Sequence, residues 1–471
     1  MVKLQRSIDW FVKKSSGCYK GSDVKRNLLL NGVSIDTRTI AEGNAYIPLL
    51  GQKYDGHDFV HEALEKGAAA VFWQEDKPMP KNYLEVPFVV VDDTLKALHR
   101  LAYFYRQELK AKVIAITGSN GKTTTKDLVA EVLAVKYKVF KTKSNNNNHI
   151  GVPLTILSCS EDVDFLVLEL GMNHALEITT LAKIAVPDIG VITNIGEAHL
   201  QFFGSREGIA CAKLELKEGL KEEGILLFDG DEPLLLNNPL LATSSTSLSL
   251  GFGENNHYRV FLVEEKGFEG SLFKVNKMGD FTFSLNLLGL HNIKNSLFAI
   301  CIGDIFGLAP AEIATGLRNL TNVKERLEIV TALNGMKILN DTYNSNPTSV
   351  KAALLFLNQE RFKNYEKWVF LGDMLELGTD AIAYHKEIGK LLSSNKNITR
   401  IYTIGKLAFF ISKKVKEVCK DRFVFHFNSL EEAEKMLKNE SKKDVLLLLK
   451  GSRAIGLDKL VLSLCKGQGN G

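Results

Sequence analysis

The sequence predicts an α/β protein of three domains: a small N-terminal α/β module, a central domain with a mostly parallel sheet, and a C-terminal dinucleotide-fold-like α/β domain. At 471 residues the chain is too long for one hydrophobic core. Short apolar runs alternate with segments of helical periodicity, which is the pattern of parallel sheets covered by helices. The pattern changes twice, and this predicts domains at 1–105, 106–322 and 323–471.

Composition indicates an ordinary globular protein, with 45% apolar residues, 24% charged residues and a net charge of +4. There is no dense basic tract, so nucleic acid binding is not expected, whereas small anionic substrates are compatible with the charge. No apolar run approaches ~18 residues and no signal sequence is recognisable, so we expect neither membrane insertion nor export. The six cysteines are scattered and indicate buried thiols in a reducing cytoplasm. We expect a cytoplasmic monomer.

The N-terminal module combines predicted strands at 68–73 and 87–91 with a helix at 95–109. Two polar loops, SIDTRT at 34–39 and YDGHDF at 54–59, are equally compatible with a ligand site and with a solvated turn.

The central domain opens on TGSNGKTTT, residues 117–125, between an apolar β-branched run and a helical segment. Strand, glycine loop and helix together are typical of a phosphate-binding loop. Gly118 and Gly121 allow the backbone amides to turn inward, Lys122 can reach the outer phosphates, and the hydroxyl of Thr123 or Thr124 can bind Mg²⁺. The N-terminus of the helix adds its partial positive charge to the same site.

Further strands are predicted along this domain, and polar residues follow several of them. Ligands of such sheets gather beyond the carboxyl ends of the strands. Glu169 closes the run FLVLEL, and His199 follows a strand within NIGEAH, so both are candidate Mg²⁺ ligands or orienting groups, although each taken singly is more often a loop residue. The predicted strands are 113–117, 137–141, 165–170, 189–194 and 225–229.

Three other central segments are notable. The stretch 206–220 predicts a helix that carries Lys213, which on local grounds is a solvated surface charge. Four asparagines at 145–148 form an unusual loop, and residues 252–285 predict antiparallel hairpins.

The C-terminal domain begins near VKERLE and carries five predicted strands: MKILND, WVFLGD, RIYTIG, FVFHF and VLLLLK. It has no glycine fingerprint, so we do not expect a separate cofactor there. Polar residues after three of the strands are predicted to line one edge that faces the phosphate loop across a cleft. They are Asp341, Asn344, Asn346, Asp373, Lys450, Ser452 and Arg453.

In the same order along the chain, these motifs resemble those of the Mur ligases, which build the peptide of bacterial peptidoglycan. The resemblance covers nearly the whole chain. It rests on TGSNGKTTTK, NNNNHIGVPLT, LELGMN, NIGEAHL, GLHNIKNSLFA, NDTYNSNPTSV, GDMLELG and LKGSR.

The resemblance implies roles for individual residues. Lys122 would be catalytic and would hold the ATP phosphates, and Lys213 matches a lysine that takes up CO₂ to become a carbamate and a magnesium ligand. The implied magnesium ligands are Thr123, Thr124, Glu169, His199 and carbamylated Lys213. The implied ATP contacts are Gly118, Asn120, Gly121, Lys122, Thr123, Thr124, Asn292, Asn295, Arg326 and Asp341. The implied substrate contacts are Ser34, Asp36, Arg38, Asn145, Asn147, Asn344, Asn346, Lys450, Ser452 and Arg453.

The implied activity is ATP- and Mg²⁺-dependent addition of D-alanyl-D-alanine to UDP-N-acetylmuramoyl-tripeptide through an acyl phosphate. A sibling ligase that adds the third residue is an alternative, but DTYNSNP stands where the diaminopimelate-adding sibling has a DNPR-type segment. A folyl-polyglutamate ligase is a more distant alternative. A nucleotide-driven switch would use the same loop, but it leaves the polar C-terminal edge unexplained.

Overall fold

The structure is a computed structural model that describes residues 4–80, 86–242, 246–440 and 444–465. Within these ranges, sheets of five, nine and six strands and a two-stranded ribbon are present. This architecture confirms the predicted α/β class with mostly parallel sheets.

The N-terminal sheet has the order β2-β7-β6-β5-β4 and is parallel except for β2. The predicted strands and helix correspond to β6, β7 and α3 within two residues. Four two-residue strands were not predicted, because so short a run shows no alternation. The elements are β1 (Arg6–Ser7), α1 (Ile8–Ser15), β2 (Cys18–Lys20), β3 (Leu29–Leu30), β4 (Val33–Ser34), β5 (Ala45–Tyr46), α2 (Val60–Glu65), β6 (Ala70–Gln74), β7 (Phe88–Val91) and α3 (Thr94–Glu108).

The central sheet has the order β16-β15-β14-β13-β12-β11-β8-β10-β9. The first two pairings in this order, β16 with β15 and β15 with β14, are antiparallel. The predicted hairpins are therefore confirmed, whereas β13 was not predicted. Its elements are β8 (Lys112–Thr117), α4 (Lys122–Ala134), β9 (Val139–Lys141), α5 (Gly151–Leu157), β10 (Phe165–Glu169), α6 (Glu177–Ala185), β11 (Ile189–Ile192), α7 (Leu200–Phe203), α8 (Arg206–Leu214), β12 (Ile225–Asp229), α9 (Pro233–Leu236), β13 (Thr246–Gly251), β14 (Tyr258–Glu265), β15 (Ser271–Val275), β16 (Thr282–Leu285), α10 (Leu290–Ile305) and α11 (Pro310–Asn319).

The C-terminal sheet has the order β17-β18-β22-β19-β20-β21 and is parallel except for β17. The five predicted strands are β18 to β22. The elements are β17 (Glu328–Thr331), β18 (Lys337–Asp341), α12 (Pro347–Leu357), β19 (Glu366–Gly372), α13 (Ala381–Ser394), β20 (Ile398–Ile404), α14 (Phe409–Val418), β21 (Phe423–Phe427), α15 (Leu430–Asn439), β22 (Val445–Lys450) and α16 (Leu457–Cys465).

Strand β8 lies inside the central sheet and separates two hydrophobic cores. Val113 and Ala115 pack into a core that continues into the N-terminal domain, whereas Ile114 and Ile116 pack into a core with α4 and α10 on the opposite face. The alternation follows from the two-residue period of a strand. The end of β8, and hence the glycine loop after it, is held from both faces.

The structure can be compared with the expectations that the cysteines are buried thiols and that the chain does not insert into a membrane. All six cysteines are free, but Cys18 and Cys211 are exposed, so the expectation of uniformly buried thiols was wrong. Among the described helices, none has the length and apolar character needed to cross a membrane.

Candidate active site

The glycine loop joins β8 to α4 and leaves the first amides of the helix available. Gly121 occupies the N-cap position at φ 80°, where no side chain caps the helix. The free amides and the positive end of α4 therefore form an anion site. Gly118 has φ 147°, and a Cβ there would lie 1.8 Å from Thr193 Oγ1, so the loop has room only for glycine at this position.

The loop is braced by the end of β11. The Asn120 amide donates to Asn194 Oδ1 at 2.9 Å, and Thr193 Oγ1 donates to the Asn120 carbonyl at 2.6 Å. Lys122 Nζ donates to the Gly118 carbonyl at 2.8 Å, so its ammonium lies over the loop. Burial lowers the pKa of Lys122, although the carboxylates of Glu169 and Glu376 oppose the shift. The arrangement suits a bound polyphosphate.

Glu169 lies at the end of β10 with its side chain 2% exposed. Asn147 Nδ2 donates to its Oε1 at 2.8 Å, whereas Oε2 is buried and accepts no hydrogen bond within the described ranges. A buried carboxylate oxygen without a donor is costly. This oxygen is therefore suited to bind a cation.

His199 follows β11 in the left-handed conformation, at φ 66°. Its Nδ1 lies 2.8 Å from Oε2 of Glu376, a residue of the C-terminal domain. Across the described ranges, no group of three or more His, Cys, Asp or Glu side chains is placed to hold a metal ion. A cation here would need further ligands from hydroxyl groups or from a bound substrate.

Lys213 lies on α8 with its side chain 2% exposed, so the local prediction of a solvated surface charge was wrong. Burial and the nearby charge of Lys122 hold its pKa well below the usual value. The predicted helix 206–220 ends at Leu214 and continues as a 3₁₀ turn. The buried lysine thus lies in the last turn of a short helix.

Two cavities flank the glycine loop where the central and C-terminal domains meet. One has a volume of about 880 Å³ and is bordered by Thr123, and the other has a volume of about 530 Å³ and is bordered by Gly121. Arg326 lines both cavities, and its Nη2 donates to Thr123 Oγ1 at 3.0 Å. The C-terminal domain therefore reaches the loop directly.

The 530 Å³ cavity contains the predicted nucleotide contacts on α10 and β18. Asn295 Nδ2 donates to Asn292 Oδ1 at 2.9 Å, which fixes both amide groups beside the loop. On the opposite wall, Lys450 Nζ donates to Asp341 Oδ2 at 2.7 Å and to the Asn344 carbonyl at 2.9 Å. The cavity is lined by fixed polar groups from two domains.

Asn346 connects the two domains. Its Oδ1 caps α12 by accepting from the Ser349 amide, and its Nδ2 donates to Asn120 Oδ1 at 2.8 Å. Nearby, the amide and hydroxyl of Thr348 donate to Glu197 Oε2 at 3.0 and 2.6 Å. Asn346 lines neither cavity, so the structure places it as a bridge between the glycine loop and α12.

Of the remaining predicted contacts, Asn145, Ser452 and Arg453 line the 880 Å³ cavity. Asp373 follows β19 at the same edge, where its carbonyl accepts from the Ser452 amide, but it lines neither cavity, and its Oδ1 accepts from the amides of Leu407 and Ala408.

The predicted N-terminal contacts also lie outside both cavities. Arg38 pairs with Asp36 at 2.6 Å, and this hydrogen-bonded pair lowers the pKa of Asp36 to about 2. Ser34 Oγ lies 2.9 Å from the Asp36 carbonyl and donates to it. These residues form a separate polar turn in the N-terminal domain.

Sequence reasoning missed Lys126, Glu197 and Glu376. Lys126 follows Lys122 by four residues, and this spacing places both on one helix face. Glu197 and Glu376 lie inside recognised motifs, but their interdomain partners are far away in the sequence.

Comparison with known proteins identifies the class. The family described as Mur ligase middle domain matches residues 116–303, the Mur ligase glutamate ligase domain matches 325–453, and the Mur ligase family catalytic domain matches 29–106. The chain belongs to the Mur ligase family, as its motifs predicted. The boundaries near residues 105 and 322 stay predictions.

Within the family, similar relatives are named UDP-N-acetylmuramoyl-tripeptide--D-alanyl-D-alanine ligase. The Bacillus subtilis enzyme is 44% identical over 438 residues, which is 93% of each chain. The Escherichia coli enzyme is 32% identical over 95% of this chain and 96% of its own.

Solved structures of MurF ligases have the same fold as this chain. MurF from Acinetobacter baumannii superposes with a TM-score of 0.87 at 27% identity, over 98% of this chain and 99% of its own. The MurF ligase of Thermotoga maritima in complex with ADP gives a TM-score of 0.80 at 27% identity, over 92% and 96%.

Proposed function

We propose that this protein is an ATP-dependent ligase that joins D-alanyl-D-alanine to UDP-N-acetylmuramoyl-tripeptide, with release of ADP and phosphate. The observation that carries the proposal is the contact of Arg326 with Thr123, because it brings the C-terminal domain onto the phosphate-binding loop at the wall of an 880 Å³ cavity. The similarity to ligases of this name over 93% and 95% of the chain supports the same substrates.

The reaction joins two anions before it forms the amide. The tripeptide carboxylate attacks the γ-phosphorus of ATP, ADP leaves, and the amine of the dipeptide then displaces phosphate from the acyl phosphate. Lys122 and Arg326 lie at the loop, where their positive charges offset the repulsion between carboxylate and phosphate. The chain contributes mainly positioning and charge.

Magnesium fits the free oxygen of Glu169, with the hydroxyls of Thr123 and Thr124 and the imidazole of His199 as further candidate ligands. When bound, Mg²⁺ neutralises phosphate charge. Asn147 holds the other oxygen of Glu169, so the chain orients this carboxylate in advance.

Lys213 is proposed to carry the carbamate. A neutral amine is required for uptake of CO₂, and the complete burial of Lys213 favours the neutral form. The resulting anion would lie beside Lys122, whose charge stabilises it.

The substrates are assigned by domain. Ser34, Asp36 and Arg38 would hold the uridine diphosphate group. The nucleoside of ATP would bind in the 530 Å³ cavity, which is lined by Asn292, Asn295 and Asp341. The 880 Å³ cavity would take the peptide end and the dipeptide, near Asn145, Ser452 and Arg453. The reaction would take place in the cytoplasm.

The experiment is an amine panel. The protein is incubated with ATP, Mg²⁺, the UDP-linked tripeptide and one candidate amine, and phosphate release and product mass are measured. We expect a product only with D-alanyl-D-alanine. Phosphate release that does not depend on the amine would indicate a switch and would contradict the proposal.

Gly121→Ala tests the glycine loop. A Cβ at this position would lie 2.5 Å from Asn295 Oδ1, and φ 80° adds backbone strain of roughly 1–2 kcal/mol. We expect ADP affinity, measured by calorimetry, to fall at least about tenfold. The matched control is Gly307→Ala, where φ is 72° and no atom lies within 4 Å of the added carbon. Equal ADP affinity in the two variants would contradict the account of the loop.

A further inference from the structure

Lys126 is a buried cation that takes no part in the reaction steps described above. It lies on α4, one turn beyond Lys122, and its side chain is 3% exposed. It also lines the 880 Å³ cavity, together with Thr123, Asn145 and Arg326. A lysine this deeply buried normally has a partner.

The ammonium of Lys126 has no hydrogen-bond partner within the described ranges. Its nearest acidic oxygens are Asp127 Oδ1 at 3.6 Å and Glu169 Oε2 at 3.9 Å, and both distances exceed that of a hydrogen bond. Asp127 instead pairs with Lys141 at 2.9 Å. Both contacts are ion pairs that lack a hydrogen bond, so the three donors of the ammonium are not saturated and can bind an anion that enters the cavity.

We propose that Lys126 binds the reacting carboxylate of the acyl substrate. This inference rests on the proposed function for the identity of the substrate. The phosphates already have the free amides of α4 and Lys122, whereas Lys126 lies one helical turn, about 5.4 Å, further from those amides. A carboxylate beside the γ-phosphate is the second anion that the reaction requires.

The role follows from the charge balance of the first step. A carboxylate oxygen forms a bond to the γ-phosphorus, the bond from phosphorus to the bridging oxygen breaks, and ADP leaves with the electron pair. No proton moves in this step. Lys126 holds the attacking group by charge-assisted hydrogen bonds and reduces its repulsion from the phosphate. Lys126 is thus a catalytic residue that touches the substrate.

The test is equilibrium binding of two probes to the full chain with ADP present. One probe is UDP-N-acetylmuramoyl-tripeptide, and the other is the same molecule with the reacting carboxylate replaced by a carboxamide. We expect Lys126→Met to weaken the acid roughly 10- to 100-fold. The carboxamide should bind wild type and variant within about threefold, because it lacks the charge that Lys126 recognises.

Three controls make the result decisive. Lys126→Gln repeats the measurement in case the methionine variant does not fold. Lys136→Met changes an exposed lysine just beyond α4 and should leave both probes unaffected. Lys126→Arg keeps the charge and should recover most of the affinity for the acid.

Equal weakening of the acid and the carboxamide would overturn the assignment, as would unchanged binding of the acid. Weakened binding of a non-hydrolysable ATP analogue with ADP binding retained would assign Lys126 to the γ-phosphate instead. Because these are binding measurements, they remain decisive even if the wild-type protein fails to use D-alanyl-D-alanine, which would contradict only the proposed amine.

Discussion

Lys213→Ala is expected to lower kcat roughly 100- to 1,000-fold, the range associated with loss of one preorganised electrostatic group. The side chain is buried beside Lys122. The variant cannot form the carbamate, which is the anion that Lys213 would supply to a magnesium ion. Phosphate release with D-alanyl-D-alanine measures the effect.

Chemical rescue distinguishes this role from a structural one. Acetate or another short carboxylic acid can enter the space left by the lysine side chain, and we expect it to restore part of the activity of Lys213→Ala. Lys183→Ala, on the exposed side of α6, is the control and should neither lose activity nor respond to acetate. Full activity of unrescued Lys213→Ala would refute the carbamate.

Arg326→Ala is expected to lower kcat about 100-fold, since it removes a cation from the developing charge of phosphoryl transfer. The guanidinium lies 4.1 Å from the centre of the Tyr343 ring and donates to Thr123, so it is already oriented towards the loop. Binding of the UDP-linked substrate should change less than about threefold, since the polar turn of Asp36 and Arg38 lies in another domain.

The corresponding control is Arg318→Ala on α11, where the arginine is exposed and donates a hydrogen bond to Thr315 on its own helix. Arg326→Lys keeps the charge but loses the planar group that lies over Tyr343, and an intermediate kcat is expected. An effect of Arg326→Ala confined to binding of the UDP substrate would count against closure of the C-terminal domain on ATP.

The sequence predicted the parallel strands well because buried strands of such sheets are continuous apolar runs. The runs at 225–229, 423–427 and 445–450 begin and end as predicted. The two-residue strands of the N-terminal domain were missed because their pairing is decided by distant partners. Local periodicity carries no information on such contacts.

Site residues could be predicted from the sequence where their conformation depends on neighbouring residues. They could not be predicted where their burial or their partners come from distant parts of the chain. The glycine loop could be read from its own residues, because its conformation is set by Gly118 and Gly121. The burial of Lys213 depends on surrounding elements, and the bridge from Asn346 to Asn120 spans 226 positions. Family resemblance singled out Lys213, which is buried in the structure, where its local pattern indicated a surface charge.

Transfer of oxygen from the acyl carboxylate to phosphate is a direct test of the acyl-phosphate intermediate. The tripeptide is labelled with ¹⁸O at both oxygens of the reacting carboxylate, and the phosphate released with D-alanyl-D-alanine is analysed by mass spectrometry. An acyl phosphate formed between Lys122 and Arg326 predicts one ¹⁸O in each released phosphate, with the other kept in the new amide. Unlabelled phosphate accompanying amide formation would contradict the account.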